Sequence, residues 1–358
     1  MTQVSTADPL GLAGRRRRTT GWLAGLVAAL LGTVVVAVGV GAFTVPPGEV
    51  AAIIGHHLLG WPGERTWSGP ADAIVWQVRL PRVLLGCLVG AGLAVCGVAL
   101  QAMVRNLLAD PYLLGVNSGA SSGAAAAILF GVGAGLGEHA LQVSAFLGAL
   151  AASVLVFLVA RSAGRVTSVR LLLAGVAVGY ALYAATSFLI FASGSAEGAR
   201  SVMFWLLGSL GFAQWNTPLA VVAVVVLGTV GLLTAWGRRL DALAIGDETA
   251  HTLGVSPEAF RMLLLVVVAL CIGVVVSASG SIGFVGLVVP HLARRAVGST
   301  HVRAVPVAAL MGAVLLVWAD VVARVLLQPQ EIPIGIITSL LGAPFLLVLI
   351  RRLHATTA

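Results

Sequence analysis

Ten predominantly apolar runs, most of them about twenty residues or longer, succeed one another along this chain with short polar breaks between them. They lie at roughly 22–43, 76–104, 113–133, 139–160, 171–192, 215–236, 260–281, 284–296, 305–327 and 333–350. About twenty apolar residues in a helix cross the hydrocarbon core of a bilayer, where backbone groups must be satisfied within the protein. Hydrophobic residues make up 59% of the 358 and charged ones 9%, more apolar surface than a soluble fold of this length can hide. The chain is therefore expected to be an all-α polytopic membrane protein with about ten transmembrane helices. Its 44 glycines suit helices whose backbones approach closely in lipid.

Two segments break the rhythm. The run at 284–296 would make only roughly 20 Å of helix at 1.5 Å per residue, and it follows the irregular stretch GSIGFVG at 280–286. Non-helical backbone at that depth has to be sheltered by protein. The segment SVMFWLLGSL at 201–210 is too short to cross. It is expected at the outer interface or re-entering, with Trp205 and Trp215 as anchors.

All 21 basic residues are arginine, and there is no lysine. A P-loop needs the lysine of GxxxxGK[ST] on the nucleotide phosphates, so the chain carries no Walker A site. Any ATPase must be a separate polypeptide. The net charge of +8 fits membrane topology better than a nucleic-acid partner. With the N-terminus inside, sixteen arginines face the cytoplasm and five face outward: Arg65, Arg79, Arg82, Arg200 and Arg324. That is the positive-inside pattern. The expected organisation is a basic cytoplasmic tail at 1–20, one membrane domain at 21–352 with a cytoplasmic loop at 240–258, and a short cytoplasmic tail at 353–358.

Residues 79–120 read RLPRVLLGCLVGAGLAVCGVALQAMVRNLLADPYLLGVNSGA. Two arginines around a proline open an apolar run, Arg105-Asn106 ends it, and an Asp-Pro turn leads to a Gly/Ser-rich restart. This stretch closely resembles the signature of the FecCD-type permeases, membrane subunits of type II ABC importers for iron-siderophores, haem and vitamin B12. FVGLVVPHLAR at 284–294 and the region 319–352, with Glu331-Ile332-Pro333-Ile334-Gly335 starting a last helix and Gly342-Ala343-Pro344 kinking it, are also similar to that family.

The resemblance implies a type II importer fold and a set of sites. The loop LDALAIGDETAHTLGVSPEAFR at 240–261, read as two short helices with a helix start at Ser256-Pro257, would be the element seated in the ATPase, with Asp247, Glu248, Ala250 and Gly254 as its coupling residues. Gly254 is expected to turn where a Cβ would clash. Asn106, Leu108, Thr167 and Ser168 would form the cytoplasmic gate, although capping is the plainer role for such residues. The family pattern Asn-Pro-Leu is here Asn106-Leu107-Leu108, and losing the proline frees the local backbone. Arg79, Arg82 and Arg324 would receive acidic residues of an extracytoplasmic binding protein. Arg324 also lies four residues after Asp320, where a plain ion pair would form.

The same resemblance implies cytoplasmic ABC ATPase subunits that bind ATP and magnesium, a second permease copy or paralogue, and surrounding lipid. No cofactor, metal or catalytic residue is expected in this chain. An ion-coupled secondary transporter would place several ionisable groups near the midplane, and only Asp320 qualifies. An intramembrane enzyme would show HExxH, GxSxG or paired acids. His291 is expected to be structural where Pro290-His291 ends or bends its helix, and Cys87, Cys96 and Cys271 are read as packing residues. The cargo expected first is an iron-siderophore, with haem and cobalamin as alternatives.

Overall fold

The computed structural model describes residues 12–162 and 167–355. The tail positions 1–11 and 356–358, and Arg165 within the 161–170 loop, lie outside them. In chain order the helices are α1 (Leu12–Gly39), α2 (Pro47–Leu59), α3 (Gly69–Ala73), then a π-turn (Ile74–Arg79) running straight into α4 (Leu80–Val104). They continue with α5 (Val116–Phe130), α6 (Ala140–Ser162), α7 (Ser168–Ala192), α8 (Ala196–Leu206), α9 (Thr217–Ala235), α10 (Gly237–Ile245) and α11 (Asp247–Thr252). The set ends with α12 (Pro257–Ser279), α13 (Val285–Val297), α14 (His301–Val325) and α15 (Ile334–Ala355). Among the described residues, seven helices are both long and apolar enough to cross a bilayer. The shorter α5 and α13, with α15, complete the ten expected spans.

Burial sorts these spans into a centre and a rim. In α4, 78% of the most apolar stretch is buried, against 61% in α12 and α14 and 22% in α1 and α7. Small residues make the centre possible. A Cβ on Gly90 of α4 would collide with the Gly312 carbonyl of α14, and one on Gly119 of α5 with the Gly148 carbonyl of α6. These contacts bring backbones together as lipid-embedded helices require. A smaller apolar cluster (including Val38, Val50, Val75, Val83 and Val317) joins the end of α1 to α2, the π-turn, α4 and α14.

The 44–75 connection contains α2 and α3, with a helix start at Pro47. The segment after α8 folds back onto the bundle rather than lying free. Ser209 N–H donates to the Ser279 carbonyl at 2.8 Å, and Gly335 N–H to the Leu207 carbonyl at 3.0 Å. Trp205 packs against the core, while the Trp215 indole donates to the Trp76 carbonyl at 2.6 Å.

The irregular entry to α13 is sheltered in the same way. The Tyr112 hydroxyl donates to the Ile282 carbonyl and accepts from Ile282 N–H, both at 2.9 Å. α13 runs through Pro290 to Val297, close to the expected run at 284–296. A proline in a helix forfeits one backbone bond, and the neighbouring turns hold the remainder.

Candidate functional site

Two ends of the bundle carry the polar chemistry. At the arginine-rich end, Arg18 donates to the Arg295 carbonyl at 3.2 Å and Arg294 to Gln101 Oε1 at 2.6 Å, which places the ends of α1, α4 and α13 together. There, α10 buries Leu240 and Leu243 completely, and its Asp241 accepts from the His301 backbone N–H at the start of α14. This anchors one half of a two-helix hairpin. The other half is α11, and its Ala250 is fully buried beneath the turn.

The outward face of this hairpin has no partner among the described residues. Ile245 is 69% exposed and Leu253 63%, with Glu248 and Gly254 exposed beside them. Gly254 has φ +76, and nothing lies within 4 Å of the position a Cβ would take. The expected clash is therefore absent within the protomer. The backbone itself requires glycine, since a left-handed conformation strains other residues.

Asp247 points the other way. Its two oxygens accept from the Arg261 guanidinium at 2.7 and 3.0 Å, and Arg105 stands 3.7 Å off. The fork of Arg261 hydrogen bonds holds this carboxyl below its ordinary value of 3.8, against a smaller opposing effect of burial. Arg261 is 2% exposed, and its Nε also donates to the Met103 carbonyl at 3.4 Å.

One candidate gate residue, Ser168, reaches that same carbonyl. Ser168 Oγ donates to Met103 O at 3.0 Å, joining the start of α7 to the end of α4. Thr167 caps α7, its hydroxyl accepting from Arg170 N–H at 3.4 Å. Asn106 Oδ1 accepts from Leu108 N–H at 2.9 Å, a side-chain turn that fixes the backbone where the family pattern has proline. Ser168 is buried, Leu108 half-buried, and Asn106 and Thr167 are exposed. The four lie at the ends of neighbouring helices, with capping bonds already made by three of them.

At the arginine-poor end, two of the three candidate docking arginines have partners inside the chain. Arg79 is 7% exposed and donates to the carbonyls of Val38, Gly39 and Phe43 at 3.0, 3.1 and 2.5 Å. Arg324 is equally buried and donates to Ala37 and Val40 carbonyls at 3.1 and 2.9 Å. Its Nε is also 2.9 Å from Asp320, in the i,i+4 arrangement. Both guanidiniums thus cap the last turn of α1, where carbonyls have no helical partner. Arg82 alone reaches the rim. It grips Asp320 with Nε and Nη2 and lies 2.9 Å from the half-exposed Glu331.

His291 sits edge-on to Phe345, ring centroids 5.9 Å apart, and among the described residues no cluster could hold a metal ion. Arg105 and Arg261 were not singled out from the sequence as site residues. The visible signal was an arginine at the opening of an apolar run, fourteen residues after Asp247. Arg261 shares its backbone acceptor, the Met103 carbonyl, with Ser168, and a backbone carbonyl leaves no trace in a side-chain pattern.

The profile of the FecCD transport family matches residues 29–352. Over 281 residues the chain is 46% identical to the cobalamin import system permease of Halobacterium salinarum, covering 78% of this chain and 74% of that protein. It is 44% identical to the hemin transport system permease of Yersinia pestis over 80% and 86% of the two chains. It is 38% identical to the Fe(3+)-citrate import permease YfmD of Bacillus subtilis over 80% and 84%. A solved metal-chelate type ABC transporter in an inward-facing conformation superposes with TM-score 0.80 at 34% identity, over 92% of this chain and 98% of that one.

Proposed function

The chain belongs to the FecCD transport family and is a permease subunit of a type II ABC importer, and from that premise we propose that it carries a metal chelate, an iron-siderophore, inward across the cytoplasmic membrane. The arginine-rich end is cytoplasmic in this reading, as the positive-inside rule requires. The observation that carries the mechanism is the unpartnered face of the α10–α11 hairpin. Its exposed Ile245, Leu253, Glu248 and Gly254 offer an apolar and acidic surface on a rigidly anchored element, suited to a groove in an ATPase subunit.

Asn106, Leu108, Thr167 and Ser168 then narrow the inner exit where two copies, or this chain and a paralogue, meet around a central path. A binding protein docks at the opposite rim, where Arg82 and Glu331 are within reach while Arg79 and Arg324 serve α1. Rim charges of this kind govern association rate and orientation. ATP drives the cycle because the assembly binds it more tightly in one arrangement of the spans than in the other.

Haem and cobalamin form a second reading of the cargo, favoured by the higher identities to permeases named for them. All of these are metal chelates, so the class is common to every reading. The deciding experiment is to purify the cognate binding protein and identify its ligand by mass spectrometry and metal analysis, then measure uptake of that ligand in reconstituted vesicles. A ferric siderophore is expected. Recovery of haem or cobalamin selects the second reading, and a metal-free ligand sinks the class.

A further inference from the structure

We propose that Arg261 is the positioning residue that transmits movement of the α10–α11 hairpin to the gate, through the Met103 carbonyl. This rests on the reading of the hairpin as the ATPase contact and of 106, 108, 167 and 168 as the gate.

The chain of contacts is short and continuous. Asp247 opens α11, the helix whose far face is exposed. Its carboxylate is gripped by both terminal nitrogens of Arg261 at 2.7 and 3.0 Å. The third nitrogen of the same guanidinium donates to Met103 O at 3.4 Å, and Ser168 Oγ donates to that oxygen at 3.0 Å. Four elements, α11, α12, α4 and α7, therefore converge on one backbone carbonyl. Met103 stands one residue from the end of α4, where carbonyls are left open by the helix.

A planar guanidinium bound on two edges has a fixed orientation and cannot follow Asp247 without disturbing Met103. Arg261 is 2% exposed, so on its side of the pair water is not at hand to replace a broken bond. Arg105, next to this joint, has φ +53, a conformation an arginine adopts only when its surroundings impose it. The rival account is that Arg261 merely caps α4. A cap needs only a donor toward Met103. It does not need the paired grip on a residue of the docking hairpin.

The test uses the assembled transporter with its ATPase and binding protein in vesicles. Arg261→Lys keeps the charge, but a single ammonium cannot hold both carboxylate oxygens and the carbonyl in one fixed plane. Uptake per ATP hydrolysed is expected to fall roughly 2- to 30-fold, the span of coupling energies carried by such networks, with the ATPase still bound. Spin labels on Thr167→Cys in the two permease copies should lose their ATP-dependent change in separation. A purely structural Arg261 would lower yield and stability while leaving both readouts as in the parent.

Gly254→Trp is run beside it. If that variant transports normally, the docking reading fails. If it uncouples while Arg261→Lys stays coupled, the relay alone is overturned. Should Arg261→Lys fail to accumulate, Ser168→Ala severs the same joint from the α7 side, and parental coupling there overturns the proposal equally.

Discussion

Gly254 and Arg79 show how differently a single residue can serve a membrane transporter. Gly254 is required by its left-handed φ, yet open space surrounds it. Alanine there should cost only backbone strain, on the order of 1–2 kcal/mol, and keep the ATPase bound. Tryptophan should lose the ATPase in a co-purification assay, because its bulk fills the space reserved for a partner. Equal retention by both variants would show that no partner approaches this turn. Arg79 works inward. Replacing it with leucine strands the Val38 and Phe43 carbonyls, while Gly39 keeps the Val45 N–H; the loss is on the order of 2 kcal/mol and should lower the thermal unfolding temperature in detergent. The exposed Arg65→Leu serves as the control. If Arg79→Leu is as stable as the parent and instead binds the binding protein more weakly, the arginine is a docking residue after all.

Whole elements were largely legible from sequence because their signals are carried by many residues at once. Each span declares itself by length and hydropathy, the α10–α11 hairpin by a polar interruption followed by a Ser-Pro helix start, and α13 by being too short. The need to shelter 280–284 followed from physics alone. The sheltering group did not, since Tyr112 lies 170 residues from Ile282 and nothing local announces the pairing. Tyr112→Phe removes the partner of both an N–H and a C=O, each costing on the order of 1–3 kcal/mol when left open. The variant should unfold at lower temperature than Tyr183→Phe, whose ring is 68% exposed. Equal stability of the two would mean that the segment finds its bonds elsewhere. The internal partners of Arg79 and Arg324 were hidden for a related reason. Scarcity of charge at that end suggested an external partner, whereas the open carbonyls at the end of α1 supply an internal one.

At the scale of the whole molecule, orientation rests on the sixteen-to-five division of arginines. It is checked by placing a cysteine at Thr252 on α11. Two of the three native cysteines are buried and Cys87 is partly covered, so background labelling is low. An impermeant maleimide should leave Thr252→Cys unmodified in intact cells and label it in inverted vesicles. Labelling in intact cells would turn the permease over and remove the cytoplasmic hairpin. Hydropathy located the runs that become helices but not their nesting. Which helix lies at the centre depends on glycine-to-glycine contacts between distant runs, and these cannot be paired from composition.

That nesting has a consequence in time. α4 is the most enclosed span, and its glycine seam is closed by α14, with Gly90 against Gly312. At synthesis rates of about 5–20 residues per second, the partner emerges roughly ten to forty seconds after α4 has entered the bilayer. For that interval the nascent chain presents an unsealed groove of small residues to lipid and to neighbouring proteins. A message cut short before residue 312 would leave the groove open permanently, which marks the truncated product for recognition by membrane quality-control proteases.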